Sequence, residues 1–110
     1  MANISKTSGL VLAAVICAGC ATTVLMGTEK SALSEKARAG YRLFDHNCAS
    51  CHGEDARGDE GPDLHGLTKS DERIGKIVRN GIKGEMPAFG KKFNDADIAA
   101  IIAYLRTLKN

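Results

Sequence analysis

The chain has no tryptophan, and three Phe and two Tyr are all its aromatic residues. It therefore has few large side chains with which to fill a core. It also lacks a strong charge of either sign: 15 Lys and Arg stand against 13 Asp and Glu, a net of +2, which argues against a nucleic-acid partner. With 110 residues the chain is the size of one small domain, too short for a multidomain enzyme. The apolar fraction of 44% and charged fraction of 25% exclude a disordered or collagen-like chain. Between Lys6 and Glu29 there is no charged residue, and much of the apolar content sits there, in Leu10 to Ala18. A stretch of this kind belongs to targeting or to the membrane. It leaves about 80 residues to fold, a length at which a protein core alone supplies little net stability, so something else is expected to fill the core.

What is present in the first 33 residues fits three readings. Lys6 and the amino terminus make a positive start, the apolar run follows, and Ala18-Gly19 precede Cys20. This resembles a bacterial lipoprotein signal with Cys20 as the lipidated residue, although Cys17 stands where an aliphatic residue is usual. Ser8 to Gly27 is also 20 uncharged residues, enough for an uncleaved anchor. Third, Gly19-Cys20-Ala21 fits an ordinary cleavage site that releases a soluble protein. All three place the domain outside the cytoplasm, on the periplasmic side of the membrane. Residues 1–19 are then the signal or anchor segment, 20–33 a tether and 34–110 the folded domain. Cys17-Ala18-Gly19-Cys20 reads as a dithiol as well, but it lies inside the apolar run and lacks a βαβ setting.

Beyond the tether no repeat, low-complexity tract or strand pattern is visible, and three helices are expected. The first runs from Ser34 as N-cap to Asp45, with Ala37, Gly40, Tyr41 and Phe44 as its apolar stripe. Gly40 in that stripe suggests close approach by another helix. The second begins near Thr68 or Ser70, carries Ile74, Ile77 and Val78, and stops at Asn80-Gly81. The third starts at Asn94, with Asp97 placed for a reciprocal cap, and carries Ile98, Ile101, Ile102, Leu105 and Leu108 on one face. The connections hold contrasting charge. Gly53–Gly66 carries Glu54, Asp55, Asp59, Glu60 and Asp63 against Arg57, a net of −4. Ser70–Lys92 carries six basic residues against Asp71, Glu72 and Glu85, a net of +3.

Cys48-Ala49-Ser50-Cys51-His52 is the motif that carries chemistry. Two thiols three positions apart can add to the two vinyl groups of one haem while the adjacent imidazole reaches the iron. Zinc, a redox dithiol and a disulfide compete for the same cysteines. Zinc wants four ligands where the folded part offers two cysteines with His46, His52 and His65, a dithiol enzyme wants a preceding strand, and a disulfide leaves His52 unexplained. For a sixth iron ligand the folded part offers a single thioether, Met86, in a loop between Gly84 and Gly90; Pro87 biases it toward an extended backbone. A lone Met is also ordinary core filling. His46 is too near the attachment motif to cross to the other face, and His65 reads as structural or surface.

Over residues 34–108 the sequence resembles the class I cytochromes c, of the small bacterial monohaem type. The resemblance rests on Gly40 and Phe44, on Cys48, Cys51 and His52, on Gly61-Pro62-Asp63-Leu64-His65-Gly66-Leu67 and on Met86-Pro87-Ala88-Phe89. It implies an all-α fold of three helices around one covalent haem c, with the N- and C-terminal helices crossing near Ile101, Tyr104 and Leu105. It also implies that the Pro62 carbonyl accepts a hydrogen bond from His52, that Leu64 packs on the ring, and that His52 and Met86 ligate iron. The family's frequent Trp near a propionate is missing here, leaving Lys or Arg of residues 69–92 as candidate donors. With both axial positions filled, the implied function is single-electron transfer without enzyme activity, toward an oxidase, reductase or dehydrogenase. The alternative is a haem subunit docked permanently to such an enzyme. Peroxidase-like activity or ligand sensing would require Met86 to be displaced.

Overall fold

The computed structural model describes residues 21–110, with side chains from Ser34 onward; the signal and lipoprotein readings of residues 1–20, and the anchor reading of Ser8–Gly27 as far as residue 20, fall outside it. Four helices follow one another: α1 (Ala21–Asn47), α2 (Ala49–His52), α3 (Asp71–Asn80) and α4 (Asp95–Leu105). No strand forms among the described residues, as the lack of alternating patterns predicts.

The expected start of the first helix at Ser34 is not what forms. α1 continues back to Ala21, and the Ser34 hydroxyl accepts from the Arg38 guanidinium one turn on, not from an orphan N–H at a helix start. No proline interrupts Ala21 to Leu33, so the backbone has no local reason to break there. The other boundaries follow their caps. Ser70 Oγ accepts from Arg73 N at 3.2 Å, and Gly81 closes α3 at φ 66. Asn94 and Asp97 form the reciprocal box, with bonds of 2.9 and 3.1 Å.

α1 and α4 cross at Gly40. A Cβ there would drive into the Ala100 carbonyl and come within 2.9 Å of Ile101 N, so only a glycine permits the two backbones to meet. Phe44 is buried beside the contact and its ring tilts against Tyr104 at 5.2 Å. Tyr41 departs from the expected stripe. It is 46% exposed, at the margin of the crossing, with its ring edge-on to Tyr104 at 5.3 Å and its hydroxyl spared burial. α3 lies against α4 through Ile74, Gly75 and Val78, which meet Ile98 and Ile102 in one buried cluster.

The long connection from α2 to α3 is fastened to the end of α4. Arg106 donates from Nε and Nη2 to Asp71 Oδ1 and from Nη1 and Nη2 to the carbonyls of Leu67 and Lys69. Gly66 N donates to Leu108 O at 3.2 Å alongside. The connection therefore cannot shift without loosening the C-terminus.

Candidate functional site

The attachment motif sits on a helix too short to stand alone. α2 is one turn, and its N–H groups and those just after it are satisfied locally: Cys51 N and His52 N bond to Cys48 O, and Gly53 N to Ala49 O. Gly53 then leaves the helix at φ 83. The turn presents Cys48 and Cys51 half-buried, both as free thiols, and turns the His52 ring inward, where the residue is 8% exposed.

His52 Nδ1 donates to the Pro62 carbonyl at 2.9 Å. A carbonyl can only accept, so the proton is on Nδ1 and the lone pair of the neutral ring is on Nε2. Nε2 has no hydrogen-bond partner among the described residues and is not an orphaned buried atom. Gly61 completes the cradle: a Cβ there would stand 2.9 Å from both Cε1 and Nδ1 of the ring. Gly61 N bonds to Cys51 O at 2.6 Å and Gly58 N to His52 O at 2.8 Å, so the loop is stitched to the motif on both sides of the ring.

These observations fit a haem and disfavour the rivals. Two unpaired thiols and an imidazole with its free lone pair share one turn, and the ring is held through its far nitrogen as iron-ligating imidazoles are held. Among the described residues no three His, Cys, Asp or Glu side chains gather as a metal cage. Burial, with Cys51 adding to it and Lys92 opposing, pushes the Cys48 thiol up to about 11.

The expected sixth ligand is held in a hairpin that sequence reasoning read only as a loop. Ile82 and Met86 exchange backbone hydrogen bonds, each at 2.8 Å, around Lys83-Gly84-Glu85 with Gly84 at φ 81. Gly81 leaves room for this turn-back, because a Cβ there would strike the Met86 carbonyl and stand 2.7 Å from Ala88 N. Phe89 N and Gly90 N then bond to Val78 O and Arg79 O, tying the loop to the end of α3. Met86 is half-buried against the same apolar cluster that Cys48 and Leu64 pack on. Leu64 is fixed there by its N–H to Ala56 O at 2.9 Å. A concavity of about 450 Å³ lies against the hairpin, lined by Ile82, Met86 and Pro87 among others. A larger groove of about 830 Å³ between α1 and α4 touches none of Cys48, Cys51, His52 or Met86.

The remaining histidines separate. The His46 side chain is 75% exposed and its Nδ1 donates to Arg42 O at 2.8 Å, a solvated residue near a helix end as expected. The His65 side chain is 8% exposed and bonds to Asp63 at 2.8 Å. That pairing was missed in the sequence, although an Asp two residues before a polar partner in a Gly-Pro loop is the usual signal of an Asx turn. Ala56, fully buried at φ 59, was missed as well; nothing in its residue type announces a left-handed conformation.

Comparison with known proteins agrees with this site. The family described as cytochrome c oxidase, cbb3-type, subunit III matches residues 35–105. The FixP subunit of the cbb3-type cytochrome c oxidase of Azorhizobium caulinodans is 35% identical over 81 residues, 66% of this chain and 27% of its own. The cytochrome c subunit of the menaquinol:cytochrome c reductase of Geobacillus thermodenitrificans is 35% identical over 99 residues, 81% of this chain and 39% of its own. The chain thus spans about a third of the length of the curated relatives it matches. Among solved structures, cytochrome cL from Hyphomicrobium denitrificans superposes with a TM-score of 0.65 at 21% identity, over 71% of this chain and 50% of that one. The c-type cytochrome KustC0563 does so with a TM-score of 0.60 at 23% identity, over 64% of this chain and 98% of that one. At these identities the likeness is one of fold. With the matched family covering the C-terminal part of α1, the other three helices, the attachment motif and the Met86 hairpin, the chain belongs to the c-type cytochromes of the cbb3 oxidase subunit III family, whose cofactor is a covalent haem c.

Proposed function

We propose that this protein is a single-electron carrier of a respiratory chain, with His52 and Met86 as the axial ligands of one haem attached through Cys48 and Cys51. The observation that carries the reading is the buried His52 ring on the same turn as the two free thiols, with Nδ1 spent on Pro62 and the Nε2 lone pair left for a metal. The bound haem supplies a reversible one-electron couple. Everything else is the work of the chain. His52 gives a nitrogen donor whose orientation is set by Pro62 and Gly61. Met86 gives a soft sulfur donor from a hairpin pinned to α3, which favours the ferrous state relative to a second imidazole. Leu64, Phe89 and the α4 isoleucines exclude water and lower the local dielectric. No nucleic acid and no enzymatic substrate are part of this reading.

A second reading, permanent residence in a larger complex, is favoured by the names of the relatives, which are subunits of an oxidase and a reductase. Either way the partners are redox proteins, and the domain is held at the periplasmic face of the membrane by its N-terminal segment. Among the described residues no helix is long and apolar enough to cross a membrane.

Mass spectrometry of protein matured in cells able to assemble c-type cytochromes tests the haem. One covalent haem is expected, and a mass equal to the bare polypeptide would overturn it. Met86→Leu tests the second ligand: it is expected to leave the covalent haem in place while opening the ferrous iron to carbon monoxide. A variant as inert to carbon monoxide as the wild type would remove Met86 from the iron.

A further inference from the structure

The hydrogen bond from His52 to Pro62 depends on the plane of one peptide group, that between Pro62 and Asp63. The ordinary backbone network does little to fix that plane. Proline has no N–H, and Asp63 N makes no hydrogen bond among the described residues. The nearest backbone ties are at Gly61, whose N–H bonds to Cys51 O and whose carbonyl accepts from Asp59 N at 3.0 Å, on one side, and at Leu64 N, to Ala56 O, on the other.

What occupies the gap is a side chain. Asp63 Oδ1 accepts twice from His65, from its backbone N–H and from its ring Nδ1, each at 2.8 Å. This closes an Asx turn over Leu64 and fixes the torsions of Asp63 itself. The other end of the turn is immobile, since the His65 side chain is 8% exposed and Gly66 N is tied to Leu108 O. The two His65 bonds also hold the Asp63 carboxyl below its ordinary 3.8, so the acceptor stays ionised near neutrality.

We propose that Asp63 is a positioning residue for the iron ligand: its paired bonds to His65 hold the Pro62–Asp63 peptide so that the carbonyl stays on His52 Nδ1, and this sets the reduction potential. The inference rests on the reading of His52 as a haem ligand. A firm Nδ1–H···O=C bond makes the imidazole a stronger donor and favours ferric iron, so loosening it raises the potential.

The test uses the full haem-loaded chain and two variants of one position. Asp63→Ala deletes the acceptor. Asp63→Asn deletes the charge but keeps an oxygen able to accept both bonds. The reduction potential and the NMR resonance of His52 Nδ1–H in the ferrous protein are measured, with the covalent haem checked by mass. Asp63→Ala is expected to raise the potential and move the resonance upfield, while Asp63→Asn stays near wild type. His65→Ala, which keeps the backbone bond, is expected to move both in the same direction by less, and serves if Asp63→Ala does not fold. Equal shifts in the Asn and Ala variants would reduce Asp63 to a charge near the haem and overturn the positioning role. So would a His65→Ala variant identical to wild type in both readouts. A chain carrying no covalent haem would overturn the haem reading itself and this role with it.

Discussion

At the scale of single residues, the site depends on atoms that are missing as much as on those present. Gly61→Ala places a methyl 2.9 Å from the His52 ring in a loop stitched to Cys51. The ring has to turn, and the variant is expected to lose low-spin absorbance or to accumulate poorly as haem protein; an unchanged spectrum and yield would show that the loop yields instead. Asp63 adds a pH dependence whose sign is fixed by its lowered carboxyl. A depressed acid stabilises the fold above its unfolded value and loses that contribution as pH falls through its folded value, so Asp63 helps near neutrality and fails below about pH 4. Acid unfolding monitored by the haem band is expected to be less steep on this account in Asp63→Asn. Superimposable acid titrations would contradict it.

At the scale of helices, two glycines of similar appearance predict opposite outcomes. Gly40→Ala forces a Cβ into the Ala100 carbonyl, and overpacking there is expected to cost on the order of 1–3 kcal/mol or more. Gly75→Ala meets only Ile98 Cγ2 at 3.6 Å and Ile102 Cδ1 at 3.8 Å in the middle of α3, and is expected to stabilise by roughly 0.5–1 kcal/mol. Thermal melts of the two haem proteins decide both. Gly40 was legible in the sequence because a glycine in an apolar stripe needs a reason; Gly75 was not singled out, and in the structure it proves to be a packing gap small enough for a methyl. The caps at Ser70, Gly81 and Asn94 were legible because they are local chemistry. The extension of α1 to Ala21 was not, because Ser34 satisfies the composition rule for a cap without the geometry. Pro62 and the Met86 hairpin were reached through resemblance and loop context, while the Asp63–His65 turn and the Arg106 clamp join residues whose spacing alone does not reveal a shared purpose.

At the scale of the whole molecule, charge is arranged more than it is accumulated. Lys76 and Arg79 are spent on Glu72 and Asp95, whereas Lys83, Lys91 and Lys92 make no salt bridge among the described residues. Lys92 lies close enough to Cys48 to oppose the rise of its thiol, and Lys83 rides the Met86 hairpin beside Ile82, 43% exposed. Lys83 and Lys92 thus stand beside the hairpin and the motif, and electron transfer to an acidic partner is expected to slow as ionic strength rises and when these two, with the neighbouring Lys91, are reversed to Glu. Rates indifferent to salt would rule this out. α1 adds a property of another kind. It runs 27 residues without a break from Ala21 into the crossing with α4, about 40 Å at 1.5 Å per residue. Whatever precedes Ala21 is therefore joined to the haem domain by a rod and not by a string. A rod has a phase: one residue inserted after Lys30 would turn everything upstream by about 100° around the axis, whereas an insertion of seven would nearly restore the original bearing while adding about 10 Å. The direction in which the site faces is written into the residue count of this helix.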